Sequence, residues 1–294
     1  MSHKNSKIGI VGVGRLGANL SRFLKQNEYN IAYVYDKDSN KAEVISFEIA
    51  AKSTRSLKEV AEHCDIIITA VQGGESMLDI FFNKGDNLLM TNTEIVFLNC
   101  TSASPLTHIK VENAAVKVGA EALECCLPKT IVKARKGEAY FLISGKKATF
   151  KKVKTVLDEM CDNYTYVGPA GEAAKINVII NMAITMNTAV LAETLALGNS
   201  LNIDPAILKT ALSKTESNSA VLETDADNMQ SGEHNSFYDC IESEKVSNLA
   251  KILAAEHNLT LPLLDITRSQ FKKLVDNDMG ALGKSAISKL TFKN

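Results

Sequence analysis

The sequence predicts an α/β chain: a doubly wound parallel sheet at the N-terminus, then an all-helical domain reached through one long helix. Three observations predict it. Short, almost continuously apolar runs alternate with helical segments over the first half of the chain. Such runs suit strands covered on both faces, and the alternation suits parallel βαβ units. After Gly168 the strand pattern stops, and only long helical periodicity remains to Leu290. Between the two halves, Pro169 and Gly171 mark a junction ahead of an unusually long apolar helix.

The elements follow in order. Strands are expected at Lys7–Gly12, Asn30–Tyr35, Asp65–Val71, Glu94–Asn99 and Ala120–Cys125, with helices at Arg15–Gln26, Asn40–Ala50, Leu57–His63 and Leu106–Val118. Tyr140–Ser144, a helix Lys147–Met160 and a short strand Tyr164–Val167 complete an edge of the sheet. Residues 1–167 therefore form the first domain and 168–294 the second. The second reads as helices Glu172–Leu197, Asp204–Leu212, Glu244–His257 and Pro262–Asp276. Asp204-Pro205 supplies an N-cap followed by a first-turn proline. Ser213–Asn235, rich in Ser, Asn, Asp and Glu, reads as a mobile loop.

Composition narrows the function classes. The 294 residues are 45% hydrophobic and 23% charged, with a net charge of −1, so no broad basic face offers itself to nucleic acid. The short runs Lys146-Lys147 and Lys151-Lys152 read as solvated helix faces. Six cysteines with no CxxC pair fit buried free thiols in a reducing compartment. The five scattered histidines give no ligand spacing, so no metal site is expected. The opening residues lack a signal-peptide core, and Ile176–Leu197 is interrupted by Asn, Thr and Glu. The expectation is a cytoplasmic protein with no membrane span.

The run Gly12-Val13-Gly14-Arg15-Leu16-Gly17 lies between a predicted strand and a predicted helix. GxGxxG alone is a weak signal, but in this setting it fits a Rossmann dinucleotide turn. Gly12 makes the turn, Gly14 lets pyrophosphate approach, and Gly17 lets helix and strand pack; the helix N-terminus favours the phosphate charge. Arg15 and Leu16 belong to the same turn. Asp36 ends the second strand, where a carboxylate can accept hydrogen bonds from the adenosine ribose and repel a 2′-phosphate. NAD is thus the expected cofactor, with NADP the alternative because Lys37 partly offsets that charge.

A second signal is Gly168-Pro-Ala-Gly171-Glu-Ala-Ala-Lys175-Ile-Asn177, which puts a lysine in the first turns of the long helix. Asn99-Cys-Thr-Ser-Ala-Ser-Pro105 and Gly280-Ala-Leu-Gly-Lys-Ser-Ala286 come in the same order as comparable segments elsewhere. With these motifs the chain resembles the β-hydroxyacid dehydrogenases, the family of 3-hydroxyisobutyrate dehydrogenase and related semialdehyde reductases. The resemblance spans nearly the whole chain. It implies hydride transfer between NAD(P) and a small 3- or 4-hydroxy acid or the matching semialdehyde.

By that resemblance Lys175 is the catalytic residue, donating a proton to the carbonyl oxygen during reduction and accepting it in the reverse direction. Thr101 and Ser102 stand where the family's Ser-Thr pair meets nicotinamide and substrate. Val71 and Gln72 line the cofactor, and Lys245 reaches it from the helical domain.

Two departures bear on substrate. Where the family has Asp-x-Pro-Val-Ser-Gly-Gly, this chain has Glu124-Cys-Cys-Leu-Pro-Lys-Thr130. Pro128 removes a hydroxyl and an N–H, so Lys129 and Thr130 are expected to hold the acidic substrate group instead. Ile179 and Val246 also replace a family Asn and a family acid. These changes keep two alternatives open: an imine reductase-like enzyme, and a catalytically weak dinucleotide-binding sensor or structural protein. On the long helix, Asn177, Asn181, Thr185 and Thr188 form a stripe roughly opposite Lys175. That stripe should meet another helix or a partner subunit, in a homodimer or homotetramer.

Overall fold

In the computed structural model, which describes residues 3–91, 94–128, 135–235 and 238–292, the chain forms two units, Met1–Asn177 and Val178–Asn294. The first is built on eight strands. These are β1 (Ile8–Val11), β2 (Ile31–Tyr35), β3 (Lys52–Ser53), β4 (Ile66–Thr69), β5 (Val96–Asn99), β6 (Glu121–Cys126), β7 (Tyr140–Gly145) and β8 (Asn163–Gly168). Their order is β3-β2-β1-β4-β5-β6-β7-β8. All neighbours are parallel except β6 and β7, which run antiparallel with Glu124 opposite Ser144. That reversal qualifies the parallel reading of this edge.

The interleaved helices are α1 (Arg15–Gln26), α2 (Ser39–Glu48), α3 (Leu57–His63), α4 (Gly73–Phe82), α5 (Pro105–Lys117), α6 (Lys147–Lys152) and α7 (Lys154–Met160). Alternate strand residues feed two separate cores, as the two-residue period of a strand requires. Ile8, Ile10, Ile66, Ile68, Val96 and Leu98 pack with Leu20 and Leu24 of α1 and with Val156 and Leu157 of α7. Val11, Ile67 and Phe97 pack on the other face with Val60 of α3, Phe81 of α4 and Val111 of α5. Each such buried side chain stabilises the fold by about 1.5–3 kcal/mol. All six cysteines are buried and free, as expected.

Two elements escape the pattern reading. Helix α4 opens on Gly73-Gly74, a pair that reads locally as loop. Strand β3 is two residues long and half exposed, too short to show a period. The helix expected over Lys147–Met160 is divided at Val153 into α6 and α7.

The long helix α8 (Glu172–Ser200) contributes its later turns to the second unit, with α9 (Pro205–Ser213), α10 (Ala220–Ser231), α11 (Cys240–Glu256), α12 (Pro262–Asp276) and a closing 3₁₀ segment, Lys284–Leu290. By length and composition α8 could cross a membrane. Ala189, Leu191, Ala192 and Leu195, however, belong to the apolar core of this unit.

Helix α10 corrects the mobile loop expected over 213–235. Ser219 accepts a hydrogen bond from Leu222 N–H to start it, and Gly232 ends it in the left-handed conformation. Val221, Leu222, Ala226 and Met229 form a narrow buried stripe that a polar composition conceals.

The polar stripe on α8 also turns inward. Asn181, Thr185 and Thr188 are buried, and Ser247 of α11 donates to Thr185 Oγ1 at 3.3 Å. The stripe therefore meets a helix of its own unit and supplies no argument for a partner subunit. The exposed residues of α8 in this unit include apolar ones: Ile179, Val190 and Leu197.

Candidate active site

The predicted cofactor residues of the first unit collect at the carboxyl ends of β1, β2, β4 and β5. Gly12 N–H donates to Tyr35 O at 2.8 Å, joining the β1 turn to the end of β2. A Cβ on Gly17 would lie 1.9 Å from Gly12 O, so this helix turn and the strand end can meet only without a side chain there. Around Gly14 the space is open: a Cβ would find nothing within 4 Å. The first turn of α1 has no side-chain cap and no acidic residue. Its first-turn amides therefore have no side-chain cap of their own, which fits a bound phosphate. Arg15 is exposed at this turn, and Leu16 is half-buried against the core.

Asp36 is half-buried, with both carboxylate oxygens engaged. Oδ2 accepts from Val13 N–H at 2.8 Å and Oδ1 from Asp38 N–H at 2.9 Å. It thus holds the glycine turn against the loop that follows β2, and its remaining lone pairs can accept from ribose hydroxyls. These residues fit a dinucleotide.

At the next two strand ends, Thr69 Oγ1 donates to Asn99 Oδ1 at 2.8 Å and Val71 N–H donates to Thr101 Oγ1 at 3.1 Å. Thr101 is buried and ties the two loops together, whereas Gln72 and Ser102 are exposed. Lys129 and Thr130 lie outside the described residues. Lys245 is half-exposed on α11 of the second unit, 3.5 Å from Glu242 Oε1.

Lys175 sits one turn into α8, half-exposed, with its Nζ 2.7 Å from Glu172 Oε1. The first turn of this helix is fastened to the sheet by a residue that sequence reasoning did not single out for this task. Glu124 on β6 is 2% exposed. Its Oε2 accepts from Gly171 N–H and its Oε1 from Ala174 N–H, both at 2.8 Å. Ser144 of β7 donates to Oε2, and its Oγ accepts from Ala173 N–H at 3.3 Å. A carboxylate here satisfies amides that a helix start leaves unpaired and complements the helix dipole.

Gly171 also sits close against the start of α5, where an added Cβ would lie 3.0 Å from Ile109 and 3.5 Å from Pro105, close in sequence to Thr101 and Ser102. The one sequence signal was an acid inside a strand otherwise buried, which demands a partner. Nearby, burial holds the His108 imidazole below its ordinary pKa, with the Glu124 carboxylate opposing. Burial and then Glu124 push the Cys126 thiol well up.

Comparison with known proteins bears on the fold and the cofactor domain. Residues 7–168 match the family described as the NAD binding domain of 6-phosphogluconate dehydrogenase. The chain is 23% identical to 2-(hydroxymethyl)glutarate dehydrogenase of Eubacterium barkeri, over 98% of this chain and 95% of that protein. The solved structure of Mycobacterium tuberculosis 3-hydroxyisobutyrate dehydrogenase with L-serine superposes with a TM-score of 0.87 at 19% identity, covering 99% of each chain. An imine reductase variant from Myxococcus stipitatus in complex with NAD+ gives 0.65 at 17% identity, over 97% of this chain and 98% of that one. At such identities the structural likeness carries the fold. Taken with the glycine turn and the family match over the whole sheet domain, the chain belongs to the β-hydroxyacid dehydrogenase family of NAD(P)-dependent oxidoreductases.

Proposed function

We propose that the protein interconverts a small 3- or 4-hydroxy acid and the matching semialdehyde, with Lys175 as the proton donor and acceptor at the substrate oxygen and NAD as the preferred cofactor. The observation that carries this reading is the fastening of Gly171 and Ala174 to Glu124, which holds the turn bearing Lys175 on the sheet. A dinucleotide bound at the glycine turn supplies the hydride chemistry. The chain's own part is to hold its phosphates at the α1 amides, accept from its ribose at Asp36, and place an ammonium at the carbonyl oxygen. In reduction that ammonium gives up a proton as charge grows on oxygen; in oxidation the amine takes it back. Ser102, exposed beside Thr101, is assigned to the substrate. Lys129 and Thr130 are assigned to its acidic group, in place of the amides and hydroxyl removed by Pro128.

The choice of NAD rests on Asp36, whose position is set by two backbone donors and whose charge opposes a 2′-phosphate. Retention of Lys175 favours a carbonyl over an imine as the group reduced.

The test is a panel of small hydroxy acids and semialdehydes assayed with NAD and with NADP by reduced-nicotinamide absorbance. Turnover of at least one acid or aldehyde is expected, with a higher kcat/KM for NAD. Lys175→Ala should lower kcat about 10²–10⁴-fold while leaving NADH binding within about twofold. Undiminished kcat in that variant overturns the assigned role. Tight NADH binding with no turnover across the panel overturns the enzymatic reading.

A further inference from the structure

Beside the helix anchor, three side chains of different chemistry converge in the interior. We propose that His108, Glu124 and Cys126 form a buried binding site for one divalent cation of the zinc class. Glu124 and Cys126 are two apart on β6 and so point to the same face of the strand, while α5 brings His108 over them. His108 Nε2 lies 3.6 Å from Glu124 Oε1, and Cys126 Sγ lies 3.8 Å from the same oxygen. The three ligand atoms all fall within 4.8 Å of one another. Tetrahedral zinc, with bonds of ~2.0–2.3 Å, places its N, O and S ligands about 3.3–3.5 Å apart, so a small inward movement completes the site.

A second observation points into the same place. The His108 side chain is 1% exposed, yet neither ring nitrogen has a partner in full hydrogen-bond geometry among the described residues, the Thr101 backbone making only a weaker approach. Buried imidazole nitrogens are rarely left so. The histidine and Glu124 also line a cavity of about 10 Å³ with Asn99, Glu112 and Ala170, room for about one water beside these two of the three ligands.

The charges balance. On binding, the Cys126 S–H bond breaks, an S–metal bond forms, and the proton leaves to solvent. The thiolate and the Glu124 carboxylate then neutralise a 2+ ion, and the imidazole binds uncharged, so no net charge is buried. The mixed N, O and S donor set suits a borderline metal; magnesium and calcium favour all-oxygen cages. A cation here would also stiffen Glu124, and through it the start of α8. The sequence concealed the site because histidine spacing carries no sign of it: its ligands come from a helix and a strand.

The test uses the purified full chain, both native and refolded in the presence of cobalt(II). About one equivalent should bind and produce the near-ultraviolet charge-transfer band of a cobalt–thiolate bond, and zinc should displace it. Zinc should also raise Tm. Cys126→Ser, checked for folding by near-ultraviolet circular dichroism, should lose the band. His108→Ala should weaken apparent affinity at least about tenfold. Absence of the band in native and refolded protein overturns the proposal, as does a band that persists in Cys126→Ser. Should Cys126→Ser fail to fold, unchanged cobalt affinity in His108→Ala overturns it, and the tenfold loss supports it.

Discussion

The two units bury a carboxylate each, on different partners. In the sheet unit Glu124 meets backbone amides of Gly171 and Ala174 and the Ser144 hydroxyl. In the helical unit Asp225 meets the Lys284 ammonium and accepts from Thr224 Oγ1 at 2.5 Å. Amides belong to the helix that carries them, so Glu124 fixes the position of a main-chain segment. An ammonium on a flexible stem fixes only itself, so the second pair joins α10 to the closing 3₁₀ segment without registering any backbone start. Burial lowers the pKa of Lys284 and Asp225 opposes that shift, the balance expected when a charge leaves water for one partner. The first arrangement thus serves placement, and the second serves cohesion of its own unit.

The largest expected effect comes from Glu124→Ala. It strands two helix amides and should cost about 3–6 kcal/mol in urea unfolding. It should also lower kcat per folded molecule at least about tenfold, because the turn bearing Lys175 loses its mooring. Unchanged kcat would erase the distinction between the two carboxylates. Lys284→Met comes next, leaving Asp225 buried without its cation at a cost of about 3 kcal/mol. Adding Asp225→Leu should restore stability to within about 1 kcal/mol, and kcat should match the parent in both variants. A double variant no better than the single one would mean that the pair contributes more than cohesion.

The smallest effect is a pH dependence confined to the helical unit. His234 is buried with Nδ1 3.0 Å from Ser285 Oγ, and burial first, then Lys289, lowers its pKa below the ordinary 6.5. The folded state therefore resists a proton that the unfolded state accepts. The contribution is fully present above about pH 6.5 and is lost as pH falls through the lower folded value. His234→Gln should reduce the slope of Tm against pH in that window; an unaltered slope removes this assignment.

Legibility in the sequence follows the range of the interactions involved. The six residues from Gly12 to Gly17 announce a turn because strand, turn and helix start are contiguous. Likewise β1, β4 and β5 show as apolar runs because both faces of each are covered locally. Helix α10 was concealed because its stripe is narrow and its neighbours are polar. The direction of β7 was concealed because a strand pattern reads the same from either end. The stripe on α8 was legible as a stripe, but its destination, Ser247, lies 62 residues away.

The sequence by itself determined the two-part architecture, the glycine turn between β1 and α1 with Asp36 at the end of the next strand, and the place of Lys175 at a helix start, since each depends on neighbours a few residues apart. Tertiary structure alone decided what holds that helix start and what surrounds the holder. Gly171 and Ala174 reach Glu124 across 47 and 50 residues. A buried carboxylate must find donors wherever the folded chain presents them, and no local spacing records where that will be.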